Sequence, residues 1–344
     1  MNTKIYRLLP NESAHPSITE AAELIRSGGL VAFPTETVYG LGGDATDPVA
    51  AKKIYEAKGR PSDNPLIIHI ASPKDAEKYA LTNGTYYKLA EAFMPGPLTV
   101  ILPKKDTIPS EVTGGLDSVA LRCPSHPIAR ALIRVAGRAI AAPSANLSGS
   151  PSPTSGEHVI RDLNGRVDAI IDGGECDIGL ESTIIKLEGD AATLLRPGAI
   201  TADALSCICK EVKLAPAVTE ALKENERPLS PGMKYRHYAP KAPLILLDGN
   251  EDEVLSYLYR QQNAEKCVIL CYTEELNYLR NERLIDIGAR DDLEAQAHSL
   301  FASLRLADEM EGEVIYAHLP PMDGMGLALY NRLIRAAAHT VLTV

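Results

Sequence analysis

The sequence predicts an α/β protein with two domains. The chain has 344 residues, which is enough for two domains of ordinary size. Short apolar runs alternate with helix-like stretches in both halves, and the alternation is most regular in the second half. That regular pattern is typical of a small, doubly wound α/β domain with a parallel sheet, similar to a Rossmann fold.

Helix start signals position the first helices of the chain. Ser17 and Glu20 match the S-x-x-E capping box, which predicts a helix start at this point. Asp47 followed by Pro48 predicts a second start, because an acid can cap the amino end and proline suits the first helical position. A later helix is predicted over 128–136, closed by a glycine. The predicted strands of this half cover 29–33, 66–70, 98–102, 119–122, 139–142, 169–172, 183–187 and 193–195.

Residues 211–241 separate this region from the second regular region. Prolines punctuate the segment and no helical or strand period survives in it, so we predict an interdomain linker there. The predicted domains are therefore 1–210 and 242–344. In the second domain, predicted strands cover 244–247, 267–271, 284–287 and 314–317, and predicted helices cover 251–262, 291–310 and 326–338.

The linker contains an unusual polar segment, Ser230–Pro240, in which two tyrosines, a histidine, a lysine and an arginine follow one another closely. One interpretation is a flap that lies over a ligand. The alternative is a basic, solvated tether whose tyrosines pack on the domain surface.

The composition excludes several classes of protein. A net charge of -10 argues against a general nucleic-acid coat protein, although it allows a local basic pocket. No uncharged apolar run approaches the ~18 residues of a membrane span, and no signal peptide is visible, so we expect a cytoplasmic protein without membrane association. The 6 cysteines lack paired C-x-x-C spacing, which predicts reduced thiols and neither a metal site nor a disulfide framework.

Two segments carry most of the functional information. Pro34–Leu41 follows the first predicted strand, and Lys58–Leu66 lies between a predicted helix and the next strand. Within the second segment, Lys58 and Arg60 flank a glycine, and both cations suit phosphate oxygens. Asn64 and His69 follow. His69 on its strand either binds a ligand or is a satisfied structural histidine.

Further polar clusters occur where other predicted strands end. Arg122 closes an apolar strand, where it predicts either a clamp for a substrate carboxylate or an edge arginine paired with a surface acid. Ala141–Gly149 combines small residues with hydroxyl and amide donors, and the loop at 150–155 continues it. Glu181–Thr183 and Arg196–Gly198 complete the set. Because ligands gather outside the carboxyl ends of strands in open α/β sheets, we expect these clusters to converge.

The candidate pocket is dominated by cations and amides. The chain has no G-x-S-x-G, G-x-G-x-x-G or G-x-x-x-x-G-K-[ST] segment, so a nucleophilic serine, a dinucleotide fold and a P-loop are not indicated. A pair of catalytic carboxylates has no particular support either. The predicted chemistry is therefore electrostatic, in which anions are positioned and developing charge at phosphorus is stabilised.

Four of these segments together resemble the YrdC-like family of threonylcarbamoyl-AMP synthases, and the linker and second domain resemble its long, two-domain form. The segments are Pro34–Gly40, Lys58–Pro61, Pro143–Asn146 and Arg196–Gly198. The resemblance implies a YrdC-like twisted mixed sheet with flanking helices in the first domain. The second domain is then the small Rossmann-like parallel α/β domain.

The resemblance also implies a reaction. L-threonine, bicarbonate or CO2, and ATP give L-threonylcarbamoyl-AMP, diphosphate and water. A downstream tRNA threonylcarbamoyl-transferase complex then uses the product to make N6-threonylcarbamoyladenosine in tRNAs that read codons beginning with A. Mg2+ is expected with ATP, and the sequence indicates no protein ligands for it.

The resemblance also implies roles for individual residues, which are assigned by their position in the matching segments. The residues implied for L-threonine are Thr37, His69, Arg122, the backbone at Ala142, and Ser182. Those implied for ATP or the adenylate are Arg60, Asn64, Ser118, Ser144, Ser152, Arg196 and Tyr235. Lys58 and Arg60 are implied to stabilise charge at the phosphates, and Tyr235 fits the flap interpretation.

Two other functions are weighed against this one. A non-enzymatic RNA-binding module would use the cationic concavity for RNA backbone, but the acidic net charge and the few stacking aromatics weaken that interpretation; we allow only for weak RNA binding. A carbamoyl-transfer enzyme for metallocentre maturation also uses a YrdC-like domain, but it carries zinc-finger and acylphosphatase-like segments for which this chain lacks the cysteine pairs and the length.

Overall fold

The computed structural model describes residues 2–220, 237–262 and 266–344, which divide between two compact units. The first unit contains the described residues of 2–148, 152–177 and 181–220. The second contains 149–151, 178–180 and the described residues from 237 onward. Thus two tripeptides that interrupt the first unit along the chain belong to the second unit.

A mixed sheet is the centre of the first unit. Among the described residues it has 11 strands, which are β1 (Lys4–Arg7), β2 (Val31–Phe33), β3 (Gly40–Asp44), β4 (Ile67–His69), β5 (Leu98–Pro103), β6 (Ser118–Arg122), β7 (Ile140–Ala142), β8 (Ala169–Asp172), β9 (Thr183–Glu188), β10 (Ala191–Arg196) and β11 (Glu211–Leu214). Their order is β1-β8-β2-β3-β7-β4-β6-β5-β9-β10-β11. Pairs β4–β6 and β5–β9 are parallel, whereas β7 runs antiparallel to β4 and β5 runs antiparallel to β6. The predicted mixed sheet is confirmed.

Helices cover the faces of this sheet. They are α1 (Pro16–Arg26), α2 (Pro48–Lys58), α3 (Gly84–Phe93), α4 (Ser110–Thr113), α5 (Pro127–Ala136), α6 (Gly156–Leu163) and α7 (Ala202–Ser206). The strand pleat sends alternate side chains to opposite faces. Val31 and Phe33 pack in one aliphatic core with α1 and α5, whereas Ala32 between them belongs to the core on the other face.

Local signals explain where these helices begin and end. The Asp47 side chain accepts a hydrogen bond from the Val49 N–H, as its N-cap position predicts. Helix α2 ends at Gly59, whose φ of 63° is the left-handed conformation of a glycine C-cap. The capping box predicted at Ser17 is wrong, because His15 is the N-cap and its Nδ1 accepts from the Ser17 N–H.

Three strands of the first sheet, β1, β3 and β11, depart from the sequence prediction, and β1 is one that the sequence did not indicate. Strand β3 has three glycines in five residues, so a propensity argument does not find it. Strand β11 lies in the segment that we predicted as linker. It pairs in parallel with β10 through Ala191–Glu211 to Leu194–Leu214, so the first unit continues past the boundary predicted at residue 210.

The second unit contains a smaller, entirely parallel sheet. Among the described residues its strands are β12 (Leu244–Asp248), β13 (Cys267–Cys271), β14 (Leu284–Asp286), β15 (Val314–His318) and β16 (Val341–Thr343), in the order β14-β13-β15-β12-β16. The helices between them are α8 (Glu251–Gln261), α9 (Leu293–Glu309) and α10 (Gly324–Ala336). This architecture confirms the predicted small parallel α/β domain. No helix in the described part of the chain is long and apolar enough to cross a membrane.

Glycine in β3 is required by close packing, which gives a test of the sheet. A Cβ at Gly42 would lie 2.5 Å from Ile140 Cγ2 and 2.7 Å from Phe33 Cε1, and both neighbours are fully buried. We therefore expect Gly42→Ala to lower the free energy of unfolding by about 1–3 kcal/mol through overpacking. Thermal unfolding followed by circular dichroism measures the effect.

Gly84→Ala is the matched control for this substitution. A Cβ at Gly84 meets nothing within 4 Å at the start of α3, so this variant should unfold at the parent temperature or slightly above it. Equal melting temperatures for both variants would contradict the close packing of β3.

Candidate active site

Strand pairing brings several predicted site residues to one edge of the first sheet. His69 and Arg122 end the parallel strands β4 and β6 and are paired in register. Ser182 directly precedes β9, whose Thr183 pairs with Leu98, while Thr99 pairs with Arg122. Arg196, at the end of β10, pairs with Ile184. The predicted convergence of these clusters is thus visible in the sheet register.

The Thr35–Thr37 turn holds a carboxylate against Arg122. The Thr35 hydroxyl oxygen accepts hydrogen bonds from the N–H groups of Thr37 and Val38, each at 3.2 Å, which closes the turn. Glu36 is buried, and its Oε1 accepts from Arg122 Nη2 at 2.7 Å while its Oε2 accepts from the Ser125 N–H at 3.1 Å. Arg122 is therefore paired with an acid, as one of its two sequence interpretations predicts. The acid, however, is buried and does not lie at the surface.

Arg122 keeps donor capacity after this pairing. Its side chain is 4% exposed, and its Nε has no hydrogen-bond partner among the described residues. A guanidinium has five N–H donors in a planar fork that matches a carboxylate. The site thus presents a buried cation with a free donor, which is what a clamp for a second carboxylate requires.

His69 lies beside Arg122 and is neutral. Burial, followed by the nearby charge of Arg122, lowers the pKa of His69 to about 3. Its ring packs edge-on against Phe33 at 5.9 Å, and its Nδ1 lies 3.2 Å from the Ile67 carbonyl oxygen. With so low a pKa the imidazole is a weak base near neutral pH, so its arrangement favours binding over proton transfer.

Ser182 connects the residues implied for threonine with those implied for ATP. Its hydroxyl lies 2.8 Å from Thr99 Oγ1 and accepts from Arg196 Nη2 at 3.1 Å, while Arg196 Nε donates to the Ser182 carbonyl oxygen at 3.0 Å. All three side chains are buried. The preceding residue, Glu181, accepts a 2.6 Å hydrogen bond from the Ser152 hydroxyl.

A second group of predicted residues lies near the amino ends of β4 and β6. Ala142 pairs with Ile67, because β7 is antiparallel to β4. Asn64 precedes β4, is 1% exposed, and has a side-chain Oδ1 without a hydrogen-bond partner among the described residues. Ser118 is the first residue of β6, so it lies about 13 Å along the strand from Arg122. Ser118 therefore belongs with Asn64 and is separate from the Arg122 group.

Lys58 and Arg60 are fixed by backbone carbonyls. The buried Lys58 Nζ donates to the carbonyl oxygens of Ser144, at 2.5 Å, and of Asn146. Arg60 Nη2 donates to the carbonyl oxygens of Asn64, at 3.4 Å, and Pro65, at 3.2 Å. Both cations are thereby held close to the loops on which Asn64 and Ser144 lie.

Three further residues hold site side chains in place, although the sequence does not indicate that role for them. Glu36, Asn146 and Glu181 hold Arg122, Lys58 and Ser152 respectively. Each lies inside one of the polar segments that follow or precede the predicted strands, which is the signal that could have found it. Tyr235 of the predicted flap lies outside the described residues. No group of three or more His, Cys, Asp or Glu residues in the described ranges could hold a metal ion.

Comparisons with family models and with known proteins give consistent matches. Residues 23–198 match the Sua5, YciO and YrdC family model described as telomere recombination, and residues 200–338 match the model described as threonylcarbamoyl-AMP synthase, C-terminal domain. A Bacillus subtilis protein named threonylcarbamoyl-AMP synthase is 46% identical, over 95% of this chain and 94% of its own. A Pyrococcus abyssi protein of the same name is 45% identical, over 94% and 95% of the two chains.

A solved structure agrees with these sequence relatives. The crystal structure of Pyrococcus abyssi Sua5 complexed with L-threonine has a TM-score of 0.90 and 42% sequence identity to this chain. The match covers 100% of both chains.

The neutrality of His69 predicts a dependence of stability on pH. Burial holds the pKa of folded His69 at about 3, below the ordinary value of 6.5, so the stabilisation is complete above pH 6.5 and is lost as the pH falls towards 3. Between pH 7.5 and pH 5 the loss from His69 should be about 2 kcal/mol. Urea unfolding at both pH values should show a smaller loss for His69→Gln than for the parent protein.

His298→Gln removes an exposed histidine and is the control; it should retain the pH dependence of the parent. An equal acid loss in His69→Gln and the parent would show that His69 is not held neutral.

Proposed function

Because the chain belongs to the family of threonylcarbamoyl-AMP synthases, we propose that it joins L-threonine, bicarbonate or CO2, and ATP into L-threonylcarbamoyl-AMP, releasing diphosphate, together with water where bicarbonate supplies the carbon. The observation that carries the proposal is the buried Arg122 with an unpartnered Nε beside a neutral His69. That arrangement suits an amino-acid carboxylate. The likeness to a structure that contains L-threonine supports the same assignment.

We assign L-threonine to the edge of the sheet that holds Arg122. The guanidinium would bind the substrate carboxylate through the donor that Glu36 leaves free. Thr37 and Ser182 would offer hydroxyl groups and His69 a neutral imidazole. Ala142, which pairs with Ile67 two residues before His69 on β4, would offer its backbone. All of these residues are buried in the first unit, so the bound amino acid would be largely withdrawn from water.

We assign the nucleotide to the adjoining cations and loops. The residues proposed for ATP are Arg60, Asn64, Ser118, Ser144, Ser152, Arg196 and Tyr235. Arg196 contacts Ser182 at 3.1 Å, so the proposed threonine and nucleotide regions meet at this point. Such a junction is where the carbamate of threonine and the α-phosphate of ATP would have to approach each other.

The proposed mechanism is electrostatic. The threonine amine attacks CO2 to give a carbamate and a proton, or bicarbonate to give the same carbamate and water. The carbamate is unstable in water, and a closed site would protect it. A carbamate oxygen then attacks the α-phosphorus, and the bond to diphosphate breaks. Lys58 and Arg60 would stabilise the charge that develops there, because their positions are fixed before the reaction.

ATP enters this scheme as its Mg2+ complex, so the metal is treated as part of the substrate. The Glu36 and Glu181 carboxylates near the site accept hydrogen bonds from Arg122 and Ser152, and no group of three or more His, Cys, Asp or Glu residues in the described ranges could hold a metal ion. The described residues therefore do not fit a site that would hold Mg2+ by itself, and no step is assigned to protein-bound metal. The product is proposed to serve a tRNA threonylcarbamoyl-transferase complex that forms N6-threonylcarbamoyladenosine.

Release of diphosphate tests the reaction directly. The purified full chain is incubated with Mg2+ and ATP, with threonine and bicarbonate each present or omitted. Release that requires both, together with a labile threonine-containing adenylate detected by mass spectrometry, is the expected result. Release without either substrate would indicate another nucleotide-cleaving activity, and RNA affinity without any release would favour a binding module.

The threonine clamp makes a separate prediction about kinetics. We expect Arg122→Ala to raise the KM for threonine at least about tenfold more than the KM for ATP, because a charged hydrogen bond to carboxylate is lost. Steady-state diphosphate release with each substrate varied in turn measures both constants. Arg7→Ala is the control, since the Arg7 side chain is 75% exposed on β1; equal effects of Arg122→Ala on both KM values would argue against the clamp.

A further inference from the structure

The second unit includes two tripeptides that directly precede proposed substrate ligands. Residues 149–151 end immediately before Ser152, and residues 178–180 end immediately before Glu181 and Ser182. The Ser152 hydroxyl and the Glu181 carboxylate are in turn hydrogen-bonded at 2.6 Å. Any contact that fixes the tripeptides therefore also restrains the start of both substrate loops.

Arg305 on α9 holds the first tripeptide. Its Nη2 donates a 2.6 Å hydrogen bond to the Pro151 carbonyl oxygen, and both residues are buried. The donor belongs to a charged guanidinium, so this bond is stronger than a neutral hydrogen bond. Its acceptor, Pro151, directly precedes Ser152, which we propose to contact the nucleotide.

The backbone of α9 holds the second tripeptide through Gly179. A Cβ at Gly179 would lie 2.5 Å from the Cα and the carbonyl oxygen of His298, and 2.7 Å from the carbonyl oxygen of Ala297. The obstructing atoms belong to the helix backbone, so they cannot move aside as a flexible side chain would. Gly179 also has a φ of +80°, and only glycine adopts that conformation without cost in so close a contact.

Both contacts come from one face of the same helix. His298 and Arg305 are separated by seven residues, which is about two helical turns, so they face the same side of α9. We propose that α9 positions the two substrate loops of the synthase, with Arg305 acting on the Ser152 loop and the backbone at His298 acting on the Ser182 loop. This inference rests on the proposed function and assigns Arg305 and Gly179 as positioning residues.

The two contacts restrain loops that are proposed for different substrates. A positioning role therefore predicts different changes in the two KM values, whereas a loss of general stability does not. Weakening the Gly179 contact should raise the KM for threonine more than that for ATP, because Ser182 is proposed for threonine. Weakening the Arg305 contact should do the reverse, because Ser152 is proposed for ATP. A merely structural role would lower the amount of folded enzyme, and hence the apparent kcat, without moving either KM.

Gly179→Ala is compared with Gly174→Ala. Gly174 has a φ of +88° and a Cβ there meets nothing within 4 Å, so both variants impose the same kind of backbone strain but only Gly179→Ala collides with α9. We expect Gly179→Ala to raise the threonine KM about tenfold and Gly174→Ala to leave it within about twofold of the parent. Equal threonine KM values in the two variants would overturn the proposal for this contact.

Arg305→Met is compared with Arg305→Lys. The methionine keeps the length and apolar stem but loses the donor, so the ATP KM should rise about tenfold while the threonine KM changes little. The lysine keeps a charge and a donor and should restore part of the ATP affinity. A loss of kcat with an unchanged ATP KM in Arg305→Met, or no rescue by lysine, would overturn the positioning role.

Hydrogen exchange on the full chain gives a readout that does not need catalysis. Peptides covering 149–155 and 178–184 should exchange faster in Gly179→Ala and Arg305→Met than in the parent and in Gly174→Ala. Unchanged exchange in these peptides would overturn the inference even in an active enzyme. Faster exchange in a parent-like fold that releases no diphosphate under any condition would instead count against the proposed function alone.

Discussion

Arg122 carries a positive charge into the interior of the first unit, and Glu36 is the group that compensates for it. Both side chains are about 95% withdrawn from solvent, at 4% and 5% exposure. Removing one partner of such a pair costs about 3–5 kcal/mol, since an uncompensated charge is left buried. The pair therefore ties the Thr35–Thr37 turn after β2 to the end of β6. Burial, followed by the charge of Arg122, lowers the pKa of the neighbouring His69 and keeps it neutral.

The other cations of the site are also buried and compensated by polar groups. Lys58, Arg60 and Arg196 are each less than 10% exposed, in a chain whose net charge is -10. Backbone carbonyls hold all three in place. Positive charge that is fixed by dipoles before a substrate arrives needs no reorganisation when negative charge develops, which is the condition for electrostatic catalysis at a phosphate. An acidic protein can thus contain a strongly cationic site.

The sequence is sufficient to predict those parts of the fold that depend on local interactions along the chain. Aliphatic runs located most strands, and Asp47 and Gly59 marked the ends of α2. Glycine-rich β3 could not be found this way, because its glycines are selected by contact with Phe33 and Ile140, which are distant in sequence or on another strand. Strand β11 lies at the start of the proline-punctuated segment whose lack of a period predicts a linker, and its pairing with β10 is a tertiary feature.

The candidate site shows the same division between local and distant information. The segments that resemble a known family gave Arg122, His69 and Ser182 their proposed roles. Residues that orient site side chains, such as Glu36 for Arg122 and Glu181 for Ser152, acquire significance only through contacts across the fold, at 86 and 29 positions of separation. Ser118 was grouped with the other nucleotide residues by resemblance, and only the strand register places it away from Arg122.

The connectivity of the two units gives a physical reason for a second domain in a protein whose proposed chemistry lies in the first. Loops near a substrate must be held precisely, yet loop backbone is the least restrained part of a fold. A helix is stiff, and α9 is 17 residues long. Because 149–151 and 178–180 belong to the second unit, the rigidity of α9 is imposed one residue away from Ser152 and two residues away from Ser182. Precision of this kind can be supplied by packing alone, without any catalytic group in the second domain.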